Sequence, residues 1–294
     1  MPAQPRLAAT VILLRPAADG YEIFLVKRHQ NSAFMGGAHV FPGGKVDAAD
    51  GADALVAACA GRTPAECVAR LGRPDGAALH VAAIRELFEE AGALLADRGD
   101  GGAPLDLAAP AEAARFATHR SAMDQSKKPF VDFVREEALR LRLDHLHWWA
   151  HWITPELETR RFDAWFFVAT LPAGQTPLHD DRETVESLWV SPPEALARHR
   201  AGTLSLPPPT LRNIELLAAH ATIDAVCAAA DTSAPPVILP TVDHLEGKLV
   251  LLLPGDPLYR TPDGVPLDAA GAPRGLGGPT RFVLEGGRWE TRYA

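Results

Sequence analysis

Cysteine is scarce in this sequence. Cys59, Cys67 and Cys227 are an odd number, and their spacing fits no metal-binding pattern. A disulfide-built secreted scaffold is therefore excluded, and a reducing, cytoplasmic setting is expected. Long apolar runs are also missing. Without a stretch of about 18 apolar residues, no transmembrane helix and no membrane partner are expected. Met1 to Arg6 lack the shape of a signal peptide, and Thr291 to Ala294 are not a peroxisomal address. Positive charge is outnumbered, with 29 Lys and Arg against 37 Asp and Glu, for a net charge of −8. That balance argues against nucleic acid as a partner. It still permits a small anionic ligand held by a metal and a few local cations. What the chain does have is core-forming material: 47% of its 294 residues are hydrophobic, enough for one large domain or for a domain with an extension.

The most informative stretch is Arg85-Glu86-Leu87-Phe88-Glu89-Glu90-Ala91-Gly92. Val81, Ile84, Leu87, Phe88, Ala91 and Leu95 recur at helical spacing and predict a buried stripe. Glu86, Glu89 and Glu90 then crowd onto one face, where like charges three and four apart destabilise a helix. A solvated acidic face is one reading. The other is a divalent cation, since hard cations take oxygen ligands. Upstream, Phe41-Pro42-Gly43-Gly44 follows a candidate strand, and its paired glycines let backbone come close to a ligand or a helix.

Together these two stretches resemble the Nudix box: a glycine, an acid six residues on, then Arg-Glu-apolar-x-Glu-Glu-x-Gly-apolar. Gly44 is the first glycine, Asp50 stands where the family has glutamate, and Arg85 to Ala93 supply the second half. Between Asp50 and Arg85 lie 34 residues, about 27 more than the family needs, an insertion that a surface connection absorbs at modest entropic cost. A split box of this kind resembles the subgroup of peroxisomal coenzyme A diphosphatases. That likeness extends over Phe34 to Asp50 and Arg161 to Phe167, with Ala33 standing where the subgroup's signature has arginine. The resemblance implies an α/β fold, a Nudix-type α/β/α sandwich with a mixed sheet. It also implies metal-dependent hydrolysis of a nucleoside-linked diphosphate. Mg²⁺ or Mn²⁺ is expected on Glu86, Glu89, Glu90 and the Gly43 carbonyl. Arg85 is expected to point away from the metals and pair with an acid; Asp50 is either that acid or a more distant ligand.

In chain order, Ala8 to Leu14 and Tyr21 to Lys27 read as a hairpin of strands. Lys27 or Arg28 at its end contacts substrate phosphate or is simply solvated. The insertion, 51–79, predicts helices at Asp53 to Ala60 and from Thr63-Pro64, an N-cap followed by a first-turn proline. It forms a helical cap beside the active site or buries its apolar face in a partner subunit. Asp97 to Pro110 reads as a loop, with helices at Pro110 to Ala122 and Pro129 to Leu141 in a second insertion, 103–142. His145, His147 and His151 precede or share a strand with Trp148, Trp149 and Trp152. Core packing is the plainer reading, metal binding or adenine stacking the sharper one. Arg161 contacts phosphate or pairs with an acid. Near Ser187, Glu183 is preferred over Glu186 as the extra acid, a ligand or base, that Nudix proteins often carry. Pro208 to Ala230 predicts one long closing helix.

The Nudix domain is expected over 1–230. Beyond it, 231–294 reads as a β-rich extension with strands at Lys248 to Leu253, Arg281 to Leu284 and Trp289 to Tyr293. Its glycines at 275, 277 and 278 precede no helix, which argues against a phosphate loop. Leu249 to Leu253 is a candidate buried strand for a homodimer. The favoured function is hydrolysis of coenzyme A or acyl-CoA. The other readings are another nucleotide substrate or a sensor that binds without cutting.

Overall fold

The computed structural model describes residues 3–31, 35–99, 105–263, 265, 275 and 277–294; Ala33, Phe34 and Leu276 lie outside them. The organising strand is Arg6–Ala17. Successive residues of a strand point to opposite faces, and here both faces are covered. Ala9, Val11 and Leu13 enter one core, whereas Ile12 and Leu14 enter another. The strand is central in a sheet ordered Thr184–Val190, Gly20–Arg28, Arg6–Ala17, Phe162–Thr170, His147–Ile153, Val237–Ile238. His39–Val40 and Gly43–Lys45 pair onto the second and third of these. Arg6–Ala17 runs parallel to Phe162–Thr170 and antiparallel to Gly20–Arg28, so the sheet is mixed.

The helix Gly76–Ala91 packs on the first face through Ile84, Leu87 and Phe88. Gly92, at φ 68°, adopts the left-handed conformation that ends it. On the opposite face lie Pro192–Arg200, Pro208–Leu217 and Ile223–Thr232, which bury Ala195, Leu211, Ile214, Leu217 and Val226. The result is the expected α/β/α sandwich.

Several element expectations need correction. The Gly76 start puts residues 76–79 in the box helix rather than in the insertion. The first insertion helix is short, Asp53–Ala57, and Cys59–Ala60 is a strand. Part of the predicted loop is also a strand, Ala96–Arg98. The helix from Pro129 stops at Glu136, because Ala138 takes φ 49° and Leu139–Arg142 continues as a strand with Leu139 and Leu141 inward. These three strands form one small sheet. The long closing helix is two helices. Tyr21 Oη donates to the Leu217 carbonyl at 2.7 Å, and Thr222 caps the second helix by accepting from Ala225 N–H.

The insertions pack inward. Cys67 and Leu71 of Pro64–Leu71, and Phe116, Phe130 and Phe133 farther on, are buried in the core that holds Phe88. Thr63 is the N-cap that the sequence suggests, and Glu66 makes the cap reciprocal by bonding back to Thr63 N–H. At the carboxy-terminal end, Thr241–Leu245, Lys248–Leu252, Arg281–Glu285 and Arg288–Arg292 make a four-stranded antiparallel sheet. The first of these strands is not among those expected from the sequence. Phe282 and Leu253 are buried in the same core as Leu204 and Leu211, and His199 Nε2 bonds the Trp289 carbonyl oxygen at 2.7 Å. Of the candidate dimer strand, Val250, Leu252 and Leu253 are buried within the chain, whereas Leu249 and Leu251 are half-buried.

Candidate active site

The box helix and the glycine segment meet. Glu90 Oε2 accepts a 3.0 Å hydrogen bond from Gly43 N–H. A side chain on Gly44 would begin 2.6 Å from the Glu86 carboxyl group, so the missing side chain is the room that Glu86 occupies. On Gly43, a Cβ would meet the Ala9 carbonyl at 2.5 Å and Thr10 Cα at 2.6 Å. Both glycines are therefore required by close approach.

Arg85 is buried and does two jobs. Its Nε and Nη2 bond Asp50 Oδ1 and Oδ2 at 2.8 and 2.9 Å, and Nη2 also reaches the Lys45 carbonyl. Asp50 is thus the acid that pairs with Arg85, held in a short turn that also ties Asp50 to Asp47 N–H. Arg85 also reaches two of the acids expected to hold the metal. Its Nη1 donates to Glu86 at 2.8 Å and Glu89 at 2.9 Å. One guanidinium so offsets part of the repulsion. Among the described residues, no three acidic, His or Cys side chains converge as a ready-made metal-ligand set.

The electrostatics penalise the three bare carboxylates. Burial pushes the Glu86 carboxyl up to about 7, with Arg85 opposing and Glu89 adding to the rise. Burial likewise raises Glu89. Glu90 rises well above the ordinary range because it is buried beside Glu86, and the Gly43 N–H only partly compensates. A buried carboxylate with so little compensation takes up a proton or a cation. The donors are hard oxygens, the kind that Mg²⁺ and Mn²⁺ prefer.

Glu86, Glu90, Gly43 and Gly44 line a cleft of about 1140 Å³ that is also lined by Arg28, Arg161 and Glu183. Of the two basic residues ending the hairpin strand, Arg28 lines the cleft. Its Nε is buried without a hydrogen-bond partner among the described residues. Lys27 instead pairs with Glu186 at 3.2 Å, as alternation along a strand requires. The two candidate acids are separated as well: Glu183, just ahead of the Thr184–Val190 strand, lines the cleft and Glu186 does not. Asp180 positions Glu183 by accepting from the backbone N–H groups of Arg182, Glu183 and Thr184.

Arg161 is buried at the cleft wall, but it donates to the Thr154 and Ala3 carbonyls. This fixes a turn; the acid partner considered for it is not found among the described residues. The histidines form no cluster, since His147 pairs with Asp231 and His151 with Asp163. Trp148 stacks on Trp165, whereas Trp152 reaches the cleft.

Sequence reasoning missed the cleft floor, formed by Ala8 and Thr10 beside Ala164 and Phe166 on the paired strand. Its signal was weak: Ala8 and Thr10 are small, but so is Ala9 between them, and Phe166 is bulky.

This arrangement, a three-layer sandwich whose glycine strand touches an acidic helix, defines a class, and the chain belongs to the Nudix hydrolase family. The family model described as the NUDT19 Nudix domain matches residues 64–217. The chain is similar to the acyl-coenzyme A diphosphatase NUDT19 of Homo sapiens, at 31% identity over 83% of this chain and 74% of that one. It is 27% identical to the Xenopus laevis protein of the same name, over 81% and 71% of the two chains. In structure it resembles a NUDIX hydrolase from Alicyclobacillus acidocaldarius, with a TM-score of 0.60, 26% identity, and coverage of 79% of this chain and 98% of that one. The protein is thus an enzyme of a family that generally uses divalent cations.

Proposed function

We propose that this chain hydrolyses the diphosphate of coenzyme A or acyl-CoA, giving a 4′-phosphopantetheine product and adenosine 3′,5′-bisphosphate. One P–O bond of the bridge breaks, and water supplies the oxygen and protons that complete the two phosphates. The observation that carries this reading is half-buried Glu86 and buried Glu90 set against Gly43 and Gly44 in the lining of one cleft. The similarity to the acyl-coenzyme A diphosphatases supports the substrate.

In this reading Glu86, Glu89, Glu90 and the Gly43 carbonyl hold Mg²⁺ or Mn²⁺. A bound divalent cation supplies charge neutralisation and a more acidic water. Arg28 meets a phosphate oxygen with its unpartnered Nε. Arg85 holds Glu86 and Glu89 in place against repulsion. Glu86 or Glu183 takes the proton from the attacking water. Arg161 acts as a positioning residue, through the turn it fixes.

The test is a panel of CoA, acyl-CoA, NADH, ADP-ribose, dinucleoside polyphosphates and nucleotide sugars, incubated with the protein and Mg²⁺ or Mn²⁺. Release of adenosine 3′,5′-bisphosphate from CoA species is expected to lead. Turnover of another compound alone moves the substrate assignment and keeps the hydrolase. A pure sensor is disfavoured by the burial of Glu90, a charge that binding alone does not require.

A further inference from the structure

The cleft mixes two chemistries. Its lining includes Glu86 and Glu90 with Lys45 and Arg28, and also Arg6, Glu158, Arg160 and Arg161. The carboxy-terminal sheet lines it too, and the side chains that sheet contributes are all apolar: Val242, Leu249, Leu251 and Trp289. They are half-buried, although the alternate residues Val250 and Leu252 are fully covered on the sheet's other face. Val242 and Leu251 are directly paired across two strands. Trp152 and Phe166 of the main sheet continue the surface toward the floor. An apolar wall in a cleft built for an ionised diphosphate is not explained by the hydrolysis itself.

The main sheet sets the distance between the two chemistries. At the level of the floor, the glycine strand pairs with Arg6–Ala17, which pairs with Phe162–Thr170, which pairs with His147–Ile153. Three strand spacings therefore separate Gly44 from Trp152, or roughly 14 Å. A pantetheine arm spans about 12 covalent bonds, as many as about four residues of extended chain, or roughly 14 Å. With the diphosphate at Glu86 and Glu90, the thiol end of that arm reaches the level of Trp152, and Leu251 and Trp289 pack against the same core cluster as Trp152 and Phe166.

We propose that the carboxy-terminal sheet is the acyl-chain subsite of the enzyme. Val242, Leu249, Leu251 and Trp289 take the hydrocarbon of an acyl-CoA thioester out of water, and so set a preference for acylated over free coenzyme A. This rests on the substrate reading given above and extends it from the diphosphate to the far end of the molecule. The charged adenosine bisphosphate half cannot use this wall, because burying phosphate against apolar side chains without partners is strongly unfavourable.

The test is kcat/KM of the full-length protein with Mg²⁺ on free CoA and on acetyl-, butyryl-, hexanoyl- and octanoyl-CoA. A methylene taken fully out of water is worth about a fourfold gain in binding. The ratio of octanoyl-CoA to free CoA is expected to exceed tenfold, carried by KM. Leu249→Ser is expected to bring that ratio down toward one. Val242→Phe, which fills the subsite, is expected to move the optimum to shorter chains, a shift that misfolding cannot mimic. Turnover of all CoA species at one rate regardless of chain length overturns this inference and leaves the substrate reading standing. A chain-length profile that neither substitution changes overturns it too. No turnover of any CoA species, with hydrolysis of a different nucleoside diphosphate, overturns both.

Discussion

Glu90 shows how a single residue can be costly for the fold and necessary for the site. It is buried, close to Glu86, and its carboxyl receives one backbone hydrogen bond from Gly43. Glu90→Gln removes a charge that the metal-free fold has to shelter. Activity is expected to fall by about 100-fold or more, as a charged ligand is lost, while the melting temperature in metal-free buffer rises. Loss of activity with a lowered melting temperature would instead make Glu90 a structural group. The two glycines separate in the same way. Gly44→Ala pushes against the movable Glu86 carboxyl, so turnover is expected to fall with little change in stability. Gly43→Ala meets backbone on the Arg6–Ala17 strand, and urea titration is expected to show a loss of stability. The box resemblance offered Asp50 either as the partner of Arg85 or as a more distant ligand, and the buried ion pair decides for the partner. The reach of Arg85 to Glu86 and Glu89 was not legible in the sequence, because it depends on the direction of one guanidinium in a buried pocket.

The box helix carries its own pH sensitivity, away from the acids. His80 is fully buried on it, with Nδ1 against the Gly76 carbonyl and Nε2 beside Arg62. Burial pushes its pKa down to about 4 from the ordinary 6.5. The unfolded chain therefore binds a proton first as the pH falls. Stability is full above about pH 6.5 and declines toward pH 4, by roughly 3 kcal/mol for this group. Urea unfolding at pH 7 and pH 5 is expected to show that decline, and His80→Gln is expected to flatten it. The amphipathic elements were legible from periodicity: the hairpin strands, the box helix and the capped helix after Thr63. Where an element ends was harder to read. The Pro129 helix yields to a strand because Leu139 and Leu141 alternate and can pair with Ala96–Arg98. The closing helix breaks because Tyr21, far away in the chain, claims the Leu217 carbonyl.

At the scale of the whole molecule, the carboxy-terminal sheet is joined to the rest by a shared core rather than by a linker alone. Phe282 is fully buried there with Leu253, in the cluster that holds Leu211 and Ile214. Phe282→Ala is expected to cost about 3–5 kcal/mol. The variant is expected to unfold in one transition, measured by far-ultraviolet circular dichroism and tryptophan fluorescence together. Two separated transitions would mean that the sheet folds on its own. Both insertions likewise bury their apolar faces inside the chain, through Cys67, Leu71, Phe116 and Phe133.

Local patterning determined the chemistry of this protein. Three glutamates on one helical face, an arginine, an acid and two adjacent glycines are a pattern of residue types and spacings, and such a pattern survives a long insertion because loop closure costs little. Only the tertiary structure decided which side each neighbour takes. Strand pairing turned Arg28 toward the cleft and Lys27 away, and packing brought an apolar sheet from distant strands into the lining of the cleft that holds Glu86 and Glu90. Those outcomes depend on contacts between residues distant in sequence, where no local period carries the information.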